Sequence, residues 1–466
     1  LINVKLTHTA LTTAHAHGDV LTQTQSSGVI ASMVVDFTNA AKTLTYGYAY
    51  YTLATAFDTS TAITGSGSGS GFTPTVVTNP PHIYDWTVYP GGSSGTMPNN
   101  AYLGCAYRGR AVISGNPENP HQWYMFRQLN PFDLAFIAND AQTPVLGGSS
   151  NAGKIGDIVK ALIPFNDDYL IFGCATSMWF LQGDPAYGGT IMSLTKHTGI
   201  FGGQAWTFDE TGNLYFFGTG GLFTVKRGSR LVENLSNKRL PKLLEDEDAK
   251  PETHRITLGF DKRRNGLVLA ITTLATGANS NYWYDLQSEG MFPESYPNVC
   301  GVYSQFYYPA EDDTYADLIL GGRDGYLRIF KDSAKDDDSG DSDTAISSNV
   351  LMPVQDMILD DEDLQGRLTS MVIESGGGAS GGAFGDTDSI TYDIHVSKGA
   401  EELVEDVRDG ATPLHTGTVT GVGRNKRIRK RAKGKYLGIV LKNTTAASTW
   451  VLEKLSIKTK PAGRIR

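Results

Sequence analysis

From about residue 81 to residue 330 one pattern recurs every 40 to 50 residues or so: an apolar strand, a polar turn and a second apolar strand. A short apolar run closed by turn residues cannot bury itself alone, so a series of them predicts successive antiparallel sheets, spaced as propeller blades are. The inner strands of five such units are read at residues 103–114, 169–174, 214–218, 267–271 and 318–321. Turns beside them carry residues that tolerate positive φ: Asn166-Asp167-Asp168, Asp209-Glu210-Thr211-Gly212-Asn213, Arg264-Asn265-Gly266 and Arg323-Asp324-Gly325. The alternative is a run of ordinary hairpins, since no strict signature such as a Trp-Asp pair repeats.

Composition supports strands: 53 Gly, 22 Tyr and 19 Phe stand beside only 19% charged residues. The expected fold class is all-β, with a β-propeller-like central domain over residues 81–331. A small Thr/Ser/Gly-rich β-domain over residues 1–80, a candidate insertion, precedes it. An acidic loop at 332–347 and a C-terminal β-sandwich at 348–466 follow. Strands of the sandwich are read at 357–359, 368–374, 390–396, 436–442 and 450–458. The Gly/Ser segment at 64–71 has a linker's composition and is read as a mobile tip or a hinge. The best short helix is read at 240–247.

A net charge of -9 argues against a broad basic face gripping nucleic acid. Cys105, Cys174 and Cys300 lie far apart in apolar stretches and are read as buried free thiols, which fits a reducing cytoplasm. No run reaches the roughly 18 apolar residues of a membrane span. The start at Leu1, which is not methionine, predicts residues before it.

Few motifs carry chemistry. His15 and His17, followed by Asp19, fall on one face if the segment is a strand, but a third metal ligand is missing. The acidic run Asp336 to Asp343 lacks the glutamate that closes a calcium loop, and is read as a solvated loop. Asp209 to Tyr215 resembles the turn of sialidase propellers, as a structural turn and not a catalytic one. No nucleophile elbow, phosphate loop or zinc-protease helix is present. The most charged stretch, residues 424–435, holds eight basic residues in twelve. Within it Arg424, Lys426, Arg427, Arg429, Lys430 and Arg431 are candidates for contact with DNA or an acidic partner; a solvent-facing strand is the other reading.

The segment Tyr107-Arg108-Gly109-Arg110-Ala111-Val112-Ile113-Ser114-Gly115-Asn116-Pro117-Glu118-Asn119-Pro120, continuing to Trp123 and Asn130-Pro131-Phe132-Asp133, resembles a blade of bacteriophage tail nozzle and hub proteins. Gly218 to Val225, Gly366-Arg367-Leu368-Thr369, Trp450-Val451-Leu452-Glu453 and the closing Gly463-Arg464 resemble further parts of that family. The resemblance covers residues 82–466. It implies a structural virion protein without catalytic residues or cofactors, a homohexameric ring below portal and adaptor through which genome DNA leaves. Implied partners are copies of itself, adaptor and tail fibres; the implied location is the virion tail, assembled in the host cytoplasm. An acidic lumen is expected, because carboxylates repel phosphates. Tyr303, Phe306, Tyr307 and Tyr308 are candidates for subunit contacts, or else fill a blade core. The alternatives are a propeller glycoside hydrolase or lyase, and a glycan-binding module using Trp179 and Trp283.

Overall fold

The computed structural model describes residues 4–49, 57–78, 98–147, 155–237, 245–331, 334–339, 343–358, 364–377 and 387–464, apart from positions 68, 99, 132, 246 and 426. The chain forms two compact units, Leu1–Gly203 and Gln204–Arg466.

In the first unit, a six-stranded antiparallel sheet runs in the order Ile63–Gly65, Val20–Thr24, Ile30–Thr38, Leu44–Tyr48, Val4–Thr7, Val76–Thr78. Strand Ile30–Thr38 alternates exposed and buried positions, so Ala31, Met33 and Val35 join Val4, Leu6 and Leu21 in one core. The Gly/Ser segment is bound into this domain. Ser66 N–H donates to the Val20 carbonyl, and Ser70 Oγ accepts from Thr13 N–H. Its glycines permit the close approach: a Cβ on Gly67 would sit 2.1 Å from Asp19, and one on Gly69 2.0 Å from His15. Sequence composition alone suggested a linker; the docked glycines correct that.

Two four-stranded meanders follow, Leu103–Tyr107 to Val145–Gly147 and Val159–Asn166 to Thr190–Thr195. Val112, Trp123 and Met125 of the first share a core with Val159, Leu170, Phe172 and Leu181 of the second. Trp123 is fully buried 5.3 Å from Phe172, and each such side chain stabilises the pair by about 1.5–3 kcal/mol. Residues 103–114 are a hairpin and not one strand, because Arg108 and Gly109 adopt φ of 48° and 72° and reverse the chain. Arg110 behind that turn is completely buried. Its guanidinium donates to the carbonyls of Phe126, Ala141, Gln142 and Thr143 at 2.8–3.1 Å and to Asp184 at 3.0 Å.

The second unit opens with two four-stranded meanders, Trp206–Phe208 to Val232–Asn234 and His254–Asp261 to Met291–Glu294. A three-stranded meander of Val302–Tyr308, Asp317–Gly322 and Leu327–Ile329 comes next. Strands Leu214–Gly218 and Gly221–Val225 are buried at every position, as strands covered on both faces are. Val268 and Ala270 pack with Val302, Leu318 and Leu320 of the next sheet.

The fold is all-β and propeller-like in its central part. Of the strands read as inner, Arg110–Ser114, Tyr169–Cys174, Leu214–Gly218, Gly266–Thr273 and Asp317–Gly322 each lie between two neighbours, whereas Leu103–Tyr107 lies at a sheet edge. The acidic segment contains a hairpin, Asp336–Asp338 with Asp343–Ala345. The helix expected at 240–247 falls largely outside the described residues.

The chain closes in a β-sandwich. One sheet runs Ser348–Leu351, Tyr436–Asn443, Ser389–Ser397, His415–Thr420, with Gln355–Asp356 also on Tyr436–Asn443. In the other, Leu364–Ser375 is central, flanked by Leu452–Arg464 on one side and by Gly423–Arg424 and Lys433–Gly434 on the other. Leu368, Met371 and Ile373 meet Ile390, Ile394, Leu437 and Ile439 in the core between them. The strand expected at 357–359 is not one: Met357 forms a bend and packs against Gly366, whose Cβ would lie 2.2 Å away, and Leu359 lies outside the described residues. The helix Ala400–Arg408, not read from the sequence, sits on the outer side of the first sheet, where Leu403 fills the space a side chain at Gly438 would need.

Candidate functional site

Residues 423–425 and 427–434 lie along one edge of strand Leu364–Ser375. Asn425 N–H donates to the Ile373 carbonyl, Ile428 N–H to Met371, and Leu368 N–H to Ala432, at 2.8–3.0 Å. Alternation along this edge sorts the side chains. Ile428 and Ala432 point into the sandwich core, whereas Arg427, Arg429, Arg431 and Lys433 are exposed on the other side.

The two neighbouring strands extend the pattern. Arg367 pairs in register with both Lys433 and Lys460, and Lys458 and Lys454 follow on Leu452–Arg464 opposite Ser370 and Glu374. All four of these Arg and Lys residues are exposed. Eight cations therefore share one outer face, about 6.8 Å apart along a strand and about 4.8 Å across. Like charges at about 7 Å repel by about 0.6 kcal/mol even in water, and an anionic partner relieves all of those repulsions together.

Among the described residues none of these eight has a carboxylate within ion-pair distance; the nearby Arg424 is 3.6 Å from Glu374. Lysines on the opposite sheet differ, with Lys435 3.0 Å from Asp356 and Lys442 2.5 Å from Asp393. Of the residues singled out by sequence, the structure gathers Arg427, Arg429 and Arg431. Arg424 is partly neutralised, Lys430 is half-buried on the inward-facing alternation, and Lys426 lies outside the described residues. Sequence reasoning missed Arg367, Lys454, Lys458 and Lys460, because strand pairing and not chain proximity brings them in. The even spacing of Lys454, Lys458 and Lys460, which puts all three on one face of a strand, was the available signal.

The other candidates are occupied internally. His15 and His17 do not share a strand face: His15 is buried, donating to the Ser70 carbonyl at 3.1 Å, while His17 is exposed beside Asp36. Among the described residues no three metal-ligating side chains converge. Asp209 accepts from Thr211, Asn213 and Tyr215; burial works against its charge, but these hydrogen bonds hold its carboxyl below the usual range. Trp179 donates to Ser177 and Trp283 stacks 4.0 Å from Arg264, so neither is an exposed platform. Phe306 and Tyr308 are exposed rather than core residues.

Arg264 is also clamped by Phe330 at 4.0 Å, Asp261 at 3.0 Å and Glu294 at 3.0 Å. Tyr296 donates to Glu294 at 2.6 Å. Burial, and then Glu294, push the nearby Asp337 carboxyl up to about 6. A concavity of about 990 Å³ in the first unit is lined mainly by Phe136, Ile137, Leu146, Tyr124 and Tyr187, and its Asp140 is tied to Arg127 at 2.6 Å. No described helix is long and apolar enough to cross a membrane.

No family model and no curated protein matches the chain. Solved structures give faint likenesses. One is the extracellular domain of a candidate one-component system, BT4673, from B. thetaiotaomicron, with 12% identity and a TM-score of 0.33 over 98% of this chain. The match spans 57% of that chain's length. Another is an oligogalacturonate lyase from Vibrio parahaemolyticus, with 8% identity and a TM-score of 0.22 over 51% of this chain and 78% of that one. At such scores neither likeness carries an argument. What fold and site define together is an all-β, propeller-like protein with a basic sheet face whose cations have no carboxylate within ion-pair distance among the described residues.

Proposed function

We propose that the chain is a non-catalytic structural protein of a short bacteriophage tail, assembling with copies of itself into a nozzle or hub ring around the path of genome DNA. The observation that carries the reading is the basic sheet face: eight exposed cations, without an ion pair among the described residues, on a sandwich of a protein whose net charge is -9. A charge pattern of this kind suits docking, since complementary potentials fix partner and register. The internally bonded Asp209, Arg264 and Glu294 supply no free acid and base pair, which favours assembly over turnover. The resemblance of residues 107–133 to tail proteins supplies the phage context.

Electron microscopy of the purified full chain tests the reading. A hollow, six-fold ring with an acidic channel lining is expected. A compact monomer at every concentration overturns it. New reducing ends after incubation with host capsule or lipopolysaccharide overturn the non-catalytic part.

A further inference from the structure

The C-terminal sandwich carries opposite charges on its two outer sides. One side is the basic face of Arg367, Arg427, Arg429, Arg431, Lys433 and the lysines of Leu452–Arg464. On the other side the helix Ala400–Arg408 lies over Gly438 and exposes Glu401, Glu402, Glu405 and Asp406, with Asp409 just beyond its end. The hydrophobic core separates the two, because Leu437 and Ile439 point inward while Gly438 points out to the helix. Among the described residues none of these five carboxylates is in an ion pair; Glu402 accepts one hydrogen bond, from Ser397.

We infer that the basic face of one copy docks on the acidic helix of a second copy, front to back. This rests on the assembly reading above and names its contact surface. Charge complementarity selects this partner: the chain presents both halves of the interface, each without an ion pair among the described residues. A face with no aromatic side chain among its outward residues has nothing on which to stack nucleic-acid bases. A front-to-back contact is heterologous, so successive copies generate a closed ring when the rotation closes and a filament when it does not. Val404, an exposed apolar side chain on the same helix, adds apolar area that a second copy would cover.

Sedimentation velocity and mass photometry on the full chain test this, in 50 mM and 500 mM salt. Wild type associates at low salt and dissociates at high salt. Reversal of the face (Arg427→Glu, Arg429→Glu, Arg431→Glu) or of the helix (Glu401→Lys, Glu405→Lys, Asp409→Lys) weakens association about 100-fold. An equimolar mixture of the two variants restores it, because each supplies the charge the other now needs. Circular dichroism checks folding, and the wild-type salt titration stands even if a variant fails to fold. Assembly that survives both reversals, or a mixture that does not recover, overturns the front-to-back contact while the ring reading stands. Face reversal that abolishes binding of a labelled 30-base-pair duplex without changing assembly assigns the face to nucleic acid instead. A wild type that stays monomeric at both salts overturns both.

Discussion

Arg110 shows how much of the first unit hangs on single side chains. Its five hydrogen bonds satisfy four carbonyls and one carboxylate inside the structure, and removing one partner of a buried pair leaves the other charge uncompensated. Arg110→Ala is expected to destabilise the protein by about 3–5 kcal/mol in chemical denaturation, and Arg110→Lys to recover little, because an ammonium lacks the planar fork. Burial pushes the thiols of Cys105 and Cys174 up to about 12, and that of Cys300 up as well. At pH 7 all three should react slowly with a thiol reagent, and all three should react quickly in denaturant; fast labelling of native protein contradicts this. Asp337, held near 6 against an unfolded value of 3.8, binds more protons folded than unfolded between those values. Stability attributable to it therefore falls as pH rises through that window. Asp337→Asn should be more stable than wild type at pH 7.5 and lose that advantage near pH 4, as read by denaturation midpoints.

At the scale of elements, the second strands of the meanders were legible because they are apolar at nearly every position, as at Leu214–Gly218 and Gly266–Thr273. Edge strands such as Trp206–Phe208 and Val145–Gly147 are three residues long and mixed in character, so no periodicity marks them. The helix Ala400–Arg408 was missed although its signal was in the sequence: Ala400, Leu403, Val404 and Val407 keep helical spacing, and acids in its first turn and Arg408 in its last suit the helix dipole. It is held where Gly438 leaves a gap: a Cβ there would come 2.4 Å from Leu403. Gly438→Val should free the helix, so amides of residues 400–408 exchange faster while those of strand Leu364–Ser375 keep their protection. Unchanged exchange at 400–408 would show that the helix is anchored elsewhere.

For the whole molecule, net charge misled where its distribution informs. A total of -9 argued against a broad basic face, yet strand pairing collects cations from three separate stretches of chain, which no count along the sequence reveals. The protein at pH 7 should bind a cation exchanger as well as an anion exchanger, and Arg427→Glu, Arg429→Glu and Arg431→Glu together should abolish only the former. Retention of the triple variant on both resins would place the cationic patch elsewhere. The guanidinium groups of Arg427, Arg429 and Arg431 lie on the border of this sheet, where Gly423–Arg424 and Lys433–Gly434 pair with Leu364–Ser375 and Ile428 bridges to Met371. Two such borders cannot zip together strand to strand, since every Arg would meet another. Polymerisation into amyloid-like ribbons is thereby disfavoured, and neutral replacements at those positions are expected to raise thioflavin T fluorescence on prolonged incubation, where wild type stays flat.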